Sequence, residues 1–240
     1  MKTIIGTQTD VIKELTAQVA DVLARKPEEN IAISAVDLPA EVLGALAASD
    51  IAFDKATLFQ ACEYCGEAGK GAHAVGAVFS PLTAAKPFAA VYAPDPDADA
   101  EHAADYDAAI QAAGGLDLVI LGLGERGHVA FNEPGAGFGE KTHIAKLAEV
   151  TREAIAADFG ALAQTPEHGI TIGMDARKRS CSSALARAAR RQLPPRSRAA
   201  RRRLSPRRSC SCTRMSRFIL TRTLLRSYNK ALPAAFCGRF

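Results

Sequence analysis

Residues 121–135, LGLGERGHVAFNEPG, place an imidazole and a carboxylate five positions apart, His128 and Glu133, just after three closely spaced glycines. Histidine titrates nearest neutrality of all side chains, and a neighbouring carboxylate favours its charged form, so such a pair suits general acid/base proton transfer. On spacing alone, an isolated His-x4-Glu pair reads as a turn histidine beside a helix-capping glutamate. Gly122, Gly124 and Gly127 also match the GxGxxG spacing of a dinucleotide-binding turn. Pro134 and Gly135 would break any helix opening there within two turns, so no helix N-terminus follows to face a pyrophosphate, and no cofactor is expected.

Cys62 and Cys65 form a Cys-x2-Cys pair. A structural zinc needs two more ligands, and Cys181, Cys210, Cys212 and Cys237 lack supporting spacing, so the expectation is two ordinary thiols and no metal. His73, His102, His143 and His168 stand in no partner pattern and read as surface or structural residues.

The elements that must position these groups alternate between helix and strand. Val11, Ile12, Leu15, Val19, Val22 and Leu23 recur at three- and four-residue spacing, which predicts a helix over 9–26 with Thr9 or Asp10 as its cap. Short apolar runs at 30–36, 53–60 and 87–92 read as strands, 38–48 and 101–113 as helices, and the small-residue stretch 71–82 as a weak helix. Leu116–Leu121 (LDLVIL) is near-continuously apolar, the pattern of a parallel strand buried on both faces. Further strands are expected at 143–147 and 169–174 (GITIGM), separated by a helix near 150–159. The predicted class is α/β: an open, mostly parallel, Rossmann-like sheet flanked by helices, with ligands outside the carboxyl ends of its strands.

With 240 residues, 48% hydrophobic and 23% charged, the chain can bury a sizeable core, which excludes a disulfide miniprotein or a wholly disordered chain. Its net charge of +4 conceals two compositions. Residues 1–175 carry 11 basic and 26 acidic residues, whereas 176–240 carry 19 basic and no acidic ones. The expected organisation is an α/β domain over 1–175 and a basic low-complexity tail over 176–240 that is not natively folded. A shifted reading frame in a GC-rich gene yields such Arg, Ala, Pro, Ser and Cys composition; a basic arm for nucleic acid is the other reading, since arginine clusters neutralise phosphates without a fold. On either reading Pro194, Pro195 and Pro206 argue against a buried strand in the tail, which would leave GITIGM as an exposed edge. No run of 18 apolar residues suits a membrane helix, and Met1–Asp10 has no secretory pattern, so a cytoplasmic location is expected.

The segment Gly127–Pro134 (GHVAFNEP) resembles the signature of the glucosamine-6-phosphate deaminase/isomerase family, which shares a superfamily with 6-phosphogluconolactonase. Further blocks fall in that family's order: Glu63, Tyr64 and Gly66 in ACEYCG, resembling its DEYVG; 142–152 (THIAKLAEVTR); and 169–174. The resemblance spans about residues 2–175. It implies opening of an aldose phosphate, proton transfer between C2 and C1 through an enediol-type intermediate, loss of ammonia from amino sugars, and no metal or redox cofactor. His128 is implied as the ring-opening histidine and Glu133 as the carboxylate that partners it. Glu63, Cys62 and Arg126 are implied around the same pocket, with Gly124, Gly127, Asn132 and Lys141 as substrate contacts. A small sugar phosphate is the implied partner, with homo-oligomerisation open.

Departures from the pattern matter equally. Cys62 stands where the family has its proton-abstracting aspartate, and Arg126 where it has a second aspartate before Gly-His. A thiolate can serve as base, whereas Glu63 is expected to point to the opposite face of the strand. The family's glycine- and serine-rich phosphate loop corresponds to SAVDLP at 34–39, where Asp37 would repel a phosphate. A family arginine aligns with Ala157, and its late lysine falls in the tail. Lys141 and Arg152 remain as cations of the region, each reading first as a surface charge. These losses keep two alternatives open, a non-catalytic sugar-phosphate binder and a 6-phosphogluconolactonase-like hydrolase.

Overall fold

The computed structural model describes residues 3–4, 7–124, 127–137, 139–174, 177–186 and 218–219. Its first elements are β1 (Thr3–Ile4), α1 (Gln8–Arg25), β2 (Asn30–Ile33), α2 (Ala40–Ala48), β3 (Thr57–Gln60) and β4 (Cys62–Tyr64). A 3-10 turn at Val75–Phe79 then runs into α3 (Ser80–Ala85), followed by β5 (Ala90–Tyr92), α4 (Ala103–Ala112) and β6 (Leu116–Gly122). The last are β7 (His143–Lys146), α5 (Glu149–Ile155), β8 (His168–Thr171), β9 (Arg177–Ala186) and β10 (Phe218–Ile219).

Helix α1 starts where its cap dictates. The Thr7 hydroxyl accepts from Asp10 N–H and the Asp10 carboxylate accepts from Thr7 N–H, a reciprocal capping box that moves the cap from the expected Thr9 or Asp10 to Thr7. Val11, Leu15, Val19, Val22 and Leu23 form its buried stripe, with Ile12 half-buried at the margin. Each such side chain contributes about 1.5–3 kcal/mol by leaving water.

Five strands form the main sheet in the order β5-β3-β2-β6-β9, every pair parallel. LDLVIL is interior, as expected, because β6 lies between β2 and β9. The chain runs from β2 outward to β3 and β5 on one side, then crosses to β6 on the other, so the strand order reverses between β2 and β6. Open α/β sheets bind ligands outside the carboxyl ends of strands at such a switch point.

Two expectations are corrected. GITIGM and 143–147 do not extend the main sheet: β8 is the middle strand of a separate antiparallel sheet, β4-β8-β7, and is no exposed edge. Its strands are three or four residues long, too short for their apolar pattern to specify a partner. Secondly, chain beyond 175 does supply a parallel strand, because β9 pairs with β6 from Leu116↔Arg177 to Gly122↔Ala186 with one register shift. Residues 177–186 contain no proline, so nothing in that stretch breaks the ladder. Pro194, Pro195 and Pro206 lie outside the described residues. Near the other end, β10 pairs in parallel with β1. Among the described residues, no helix is long and apolar enough to cross a membrane.

Candidate functional site

The turn after β6 is built to hold one imidazole. Gly124 N–H donates to the His128 carbonyl and Gly127 N–H to the Gly124 carbonyl, closing the turn, and Val129 bridges to both Leu123 and Asn132. A Cβ on Gly124 would lie 2.0 Å from His128 Cε1, so the ring packs directly on that α-carbon. A Cβ on Gly122 would lie 2.3 Å from Asp37 C, so the loop after β2 packs equally closely on the end of β6. These glycines therefore admit a ring and a loop, and the dinucleotide spacing is incidental to that packing. Gly124 and Gly127, expected to touch substrate, act here as parts of the turn.

His128 and Asp37 meet across the switch point. Nε2 of His128 lies 2.6 Å from Asp37 Oδ2, with the imidazole 8% and the carboxylate 27% exposed. Asp37 holds φ at +56°, a left-handed conformation that Asp tolerates better than most residues because its short polar side chain can hydrogen-bond locally. The carboxylate on His128 Nε2 is thus Asp37, where Glu133 was expected. The two residues are 91 positions apart, and no local spacing announces their contact.

Glu133 ties the turn to α5. Its Oε1 accepts from Ala148 N–H at 3.1 Å and from the Thr151 hydroxyl at 2.6 Å, so it caps the N-terminal end of α5. Its Oε2 is buried without a hydrogen-bond partner among the described residues. The remaining motif residues anchor the turn. Phe131 is fully buried against Tyr64 of β4, their ring centroids 5.2 Å apart. Asn132 Nδ2 donates to the Ile172 carbonyl, Thr171 Oγ1 and the Val129 carbonyl.

Strand β4 offers no free base. Glu63 is buried, and its carboxylate accepts four hydrogen bonds: from Tyr64 N–H and Val75 N–H at 2.8 Å, and from Gln60 Nε2 and Gly76 N–H at 2.7 Å. Such charge-assisted bonds contribute roughly 1.5–3 kcal/mol each, so Glu63 is an anchor for the turn at Val75–Phe79. Cys62 is wholly buried, its sulfur 3.7 Å from Ser34 Oγ. Burial pushes this thiol far above its ordinary range and the nearby Glu63 and Asp37 carboxylates push it further, outweighing the Ser34 hydrogen bond. That shift disfavours the thiolate form at Cys62. Half-buried Cys65 is raised too, by burial and then by Glu63.

Among the cations, Arg152 is spent on structure, with Nε donating to Thr165 Oγ1 and Nη2 to the Leu162 carbonyl. Lys141 is exposed on a loop whose backbone packs closely against Gly173, just beyond the Ile172 carbonyl that Asn132 grips. Arg126 lies outside the described residues. Sequence reasoning missed Asp37 as an imidazole partner, and also Asp107, whose buried carboxylate accepts from Thr142 N–H and hydroxyl and ties α4 to the start of β7. A groove of about 950 Å³ lined by Ile12, Thr16, Ala20, Ala45 and Ile51 lies against α1 and α2 and includes none of the candidate site residues. Among the described residues no cluster of His, Cys, Asp or Glu could hold a metal.

Sheet order and turn together define an α/β protein with a buried histidine at its switch point. The chain belongs to the glucosamine-6-phosphate isomerase/6-phosphogluconolactonase family, whose model matches residues 6–180. It is 36% identical over 187 residues to a glucosamine-6-phosphate deaminase of Pseudarthrobacter chlorophenolicus, covering 72% of each chain. A deaminase of the same name from Corynebacterium urealyticum is 35% identical over 181 residues, covering 70% of this chain and 69% of that one. Among solved structures, a monomeric glucosamine-6-phosphate deaminase has a TM-score of 0.66 at 23% identity, over 77% of this chain and 81% of its own. A 6-phosphogluconolactonase from Shewanella baltica has a TM-score of 0.53 at 15% identity, over 77% and 78%. These structural likenesses are of fold.

Proposed function

We propose that the chain is an enzyme of amino-sugar metabolism, a glucosamine-6-phosphate deaminase/isomerase, with His128 as its acid/base group. The observation that carries this reading is the imidazole held at the switch point by the GHVAFNEP turn, in a chain more than one third identical to proteins of that name. His128 exchanges a proton with the ring oxygen as the aldose opens; proton transfer from C2 to C1 through an enediol-type enolamine gives an imine at C2, and hydrolysis of that imine gives the ketose as the amino nitrogen leaves as ammonia. Water supplies the oxygen that replaces the amino nitrogen, so glucosamine 6-phosphate and water give fructose 6-phosphate and ammonia. Asp37 disfavours phosphate at the loop after β2, so Lys141 is the cation proposed for the phosphate. Lys141→Ala is expected to raise KM about tenfold with kcat little changed, the signature of lost uniform binding. An unchanged KM would remove Lys141 from the site.

Ammonia release from glucosamine 6-phosphate tests the reading, with His128→Ala as control. The second reading, a non-catalytic sugar-phosphate binder, is favoured by the neutral Cys62 thiol and the four-fold engagement of Glu63, which leave β4 without a ready base. It predicts saturable glucosamine 6-phosphate binding with no ammonia.

A further inference from the structure

We infer that Asp37 is the positioning residue of His128: it holds the imidazole from the loop of the neighbouring strand and fixes its tautomer and ring orientation. The inference rests on the acid/base role proposed for His128. Three independent features of the chain converge on this contact. The first is the contact itself, 2.6 Å between Nε2 and Oδ2, with the ring nearly buried. The second is the backbone of Asp37, at φ +56°, a conformation that costs a non-glycine residue energy and persists only when the surroundings impose it. The third is the pair of close approaches at β6. The Asp37 backbone occupies the space a Cβ of Gly122 would need, and the His128 ring occupies that of Gly124. Side chains at 122 or 124 would push the two partners out of register.

A carboxylate on one imidazole nitrogen fixes tautomer and ring orientation, leaving the other nitrogen defined in its protonation. Here Asp37 engages Nε2 and so fixes how the ring is oriented in the turn. Glu133 Oε1 is committed to α5.

The test uses the full chain and two variants. Asp37→Asn keeps the side-chain shape and tolerates the left-handed backbone, and Asp37→Gly removes the carboxylate while relieving the backbone, so loss of folding does not mask the outcome. Imidazole 15N resonances are recorded by NMR, those of His128 being identified by their absence in His128→Gln. Both variants are expected to shift the His128 Nε2 resonance and to lower kcat at least about tenfold, with KM within about twofold. An unmoved resonance overturns the inference, and so does a raised KM with unchanged kcat, which would make Asp37 a substrate contact. Wild-type chain that shows the Asp37-dependent resonance but releases no ammonia upholds the positioning and overturns the proposed activity.

Discussion

Gly124 and Asp37 act on His128 from two sides, one by leaving space for its ring and the other by engaging its Nε2. Gly124→Ala would bring a Cβ to 2.0 Å from Cε1, a distance real side chains do not tolerate, so the ring must move. The expected result is a kcat lowered at least about tenfold, together with roughly 1–3 kcal/mol of lost stability from overpacking, read by kinetics and urea unfolding. Cys62→Ala is expected to behave differently. A neutral, buried thiol contributes packing and no base, so kcat should stay within about threefold while stability falls by roughly 1 kcal/mol. A kcat lowered by orders of magnitude would show that the thiol takes part in the chemistry. At this scale the turn around His128 was legible because its residues are contiguous. Asp37 was not, since its contact spans two loops, and neither was the role of Glu63, whose partners at Val75 and Gly76 are backbone N–H groups that no residue type reveals.

The short elements are held by buried carboxylates as much as by apolar faces. Glu63 joins β4 to the turn at Val75–Phe79, and Glu133 joins the turn around His128 to α5. Glu63→Ala would strand four donors in a buried site and should cost at least about 3 kcal/mol, whereas Thr151→Val should cost only about 1 kcal/mol by weakening a cap. Urea denaturation of the two variants checks that ranking, and equal losses would contradict it. The long helix α1 and the strand β6 were legible because their apolar periodicity is sustained over many residues. The division of strands between two sheets was not. β4, β7 and β8 are too brief for their pattern to state a partner or a direction, and their antiparallel pairing is fixed by tertiary contacts such as Asn132 to Ile172 and Thr142 to Asp107.

Across the whole molecule, the break in composition at residue 175 does not coincide with the end of the sheet. β9 occupies the open side of β6, and the family match extends to residue 180. A chain ended after Met174 should therefore expose the β6 backbone edge, unfold at lower urea and aggregate, while one ended after Ala186 should keep the stability of the five-stranded sheet. Equal stability of the two would show that β9 contributes nothing to the fold. The charge asymmetry was legible from composition, but the strand at its boundary was not, because an Arg- and Ser-rich segment carries no apolar alternation to mark it. The histidine at the β2/β6 switch point is proposed to drive deamination of an amino-sugar phosphate. The most direct test of that role is ammonia and fructose 6-phosphate production from glucosamine 6-phosphate by the purified full chain and by His128→Ala. Equimolar products are expected from the wild-type chain, with a rate lower by at least about a hundredfold in the variant; no ammonia from the wild type, or equal rates from both, would rule out that role for His128.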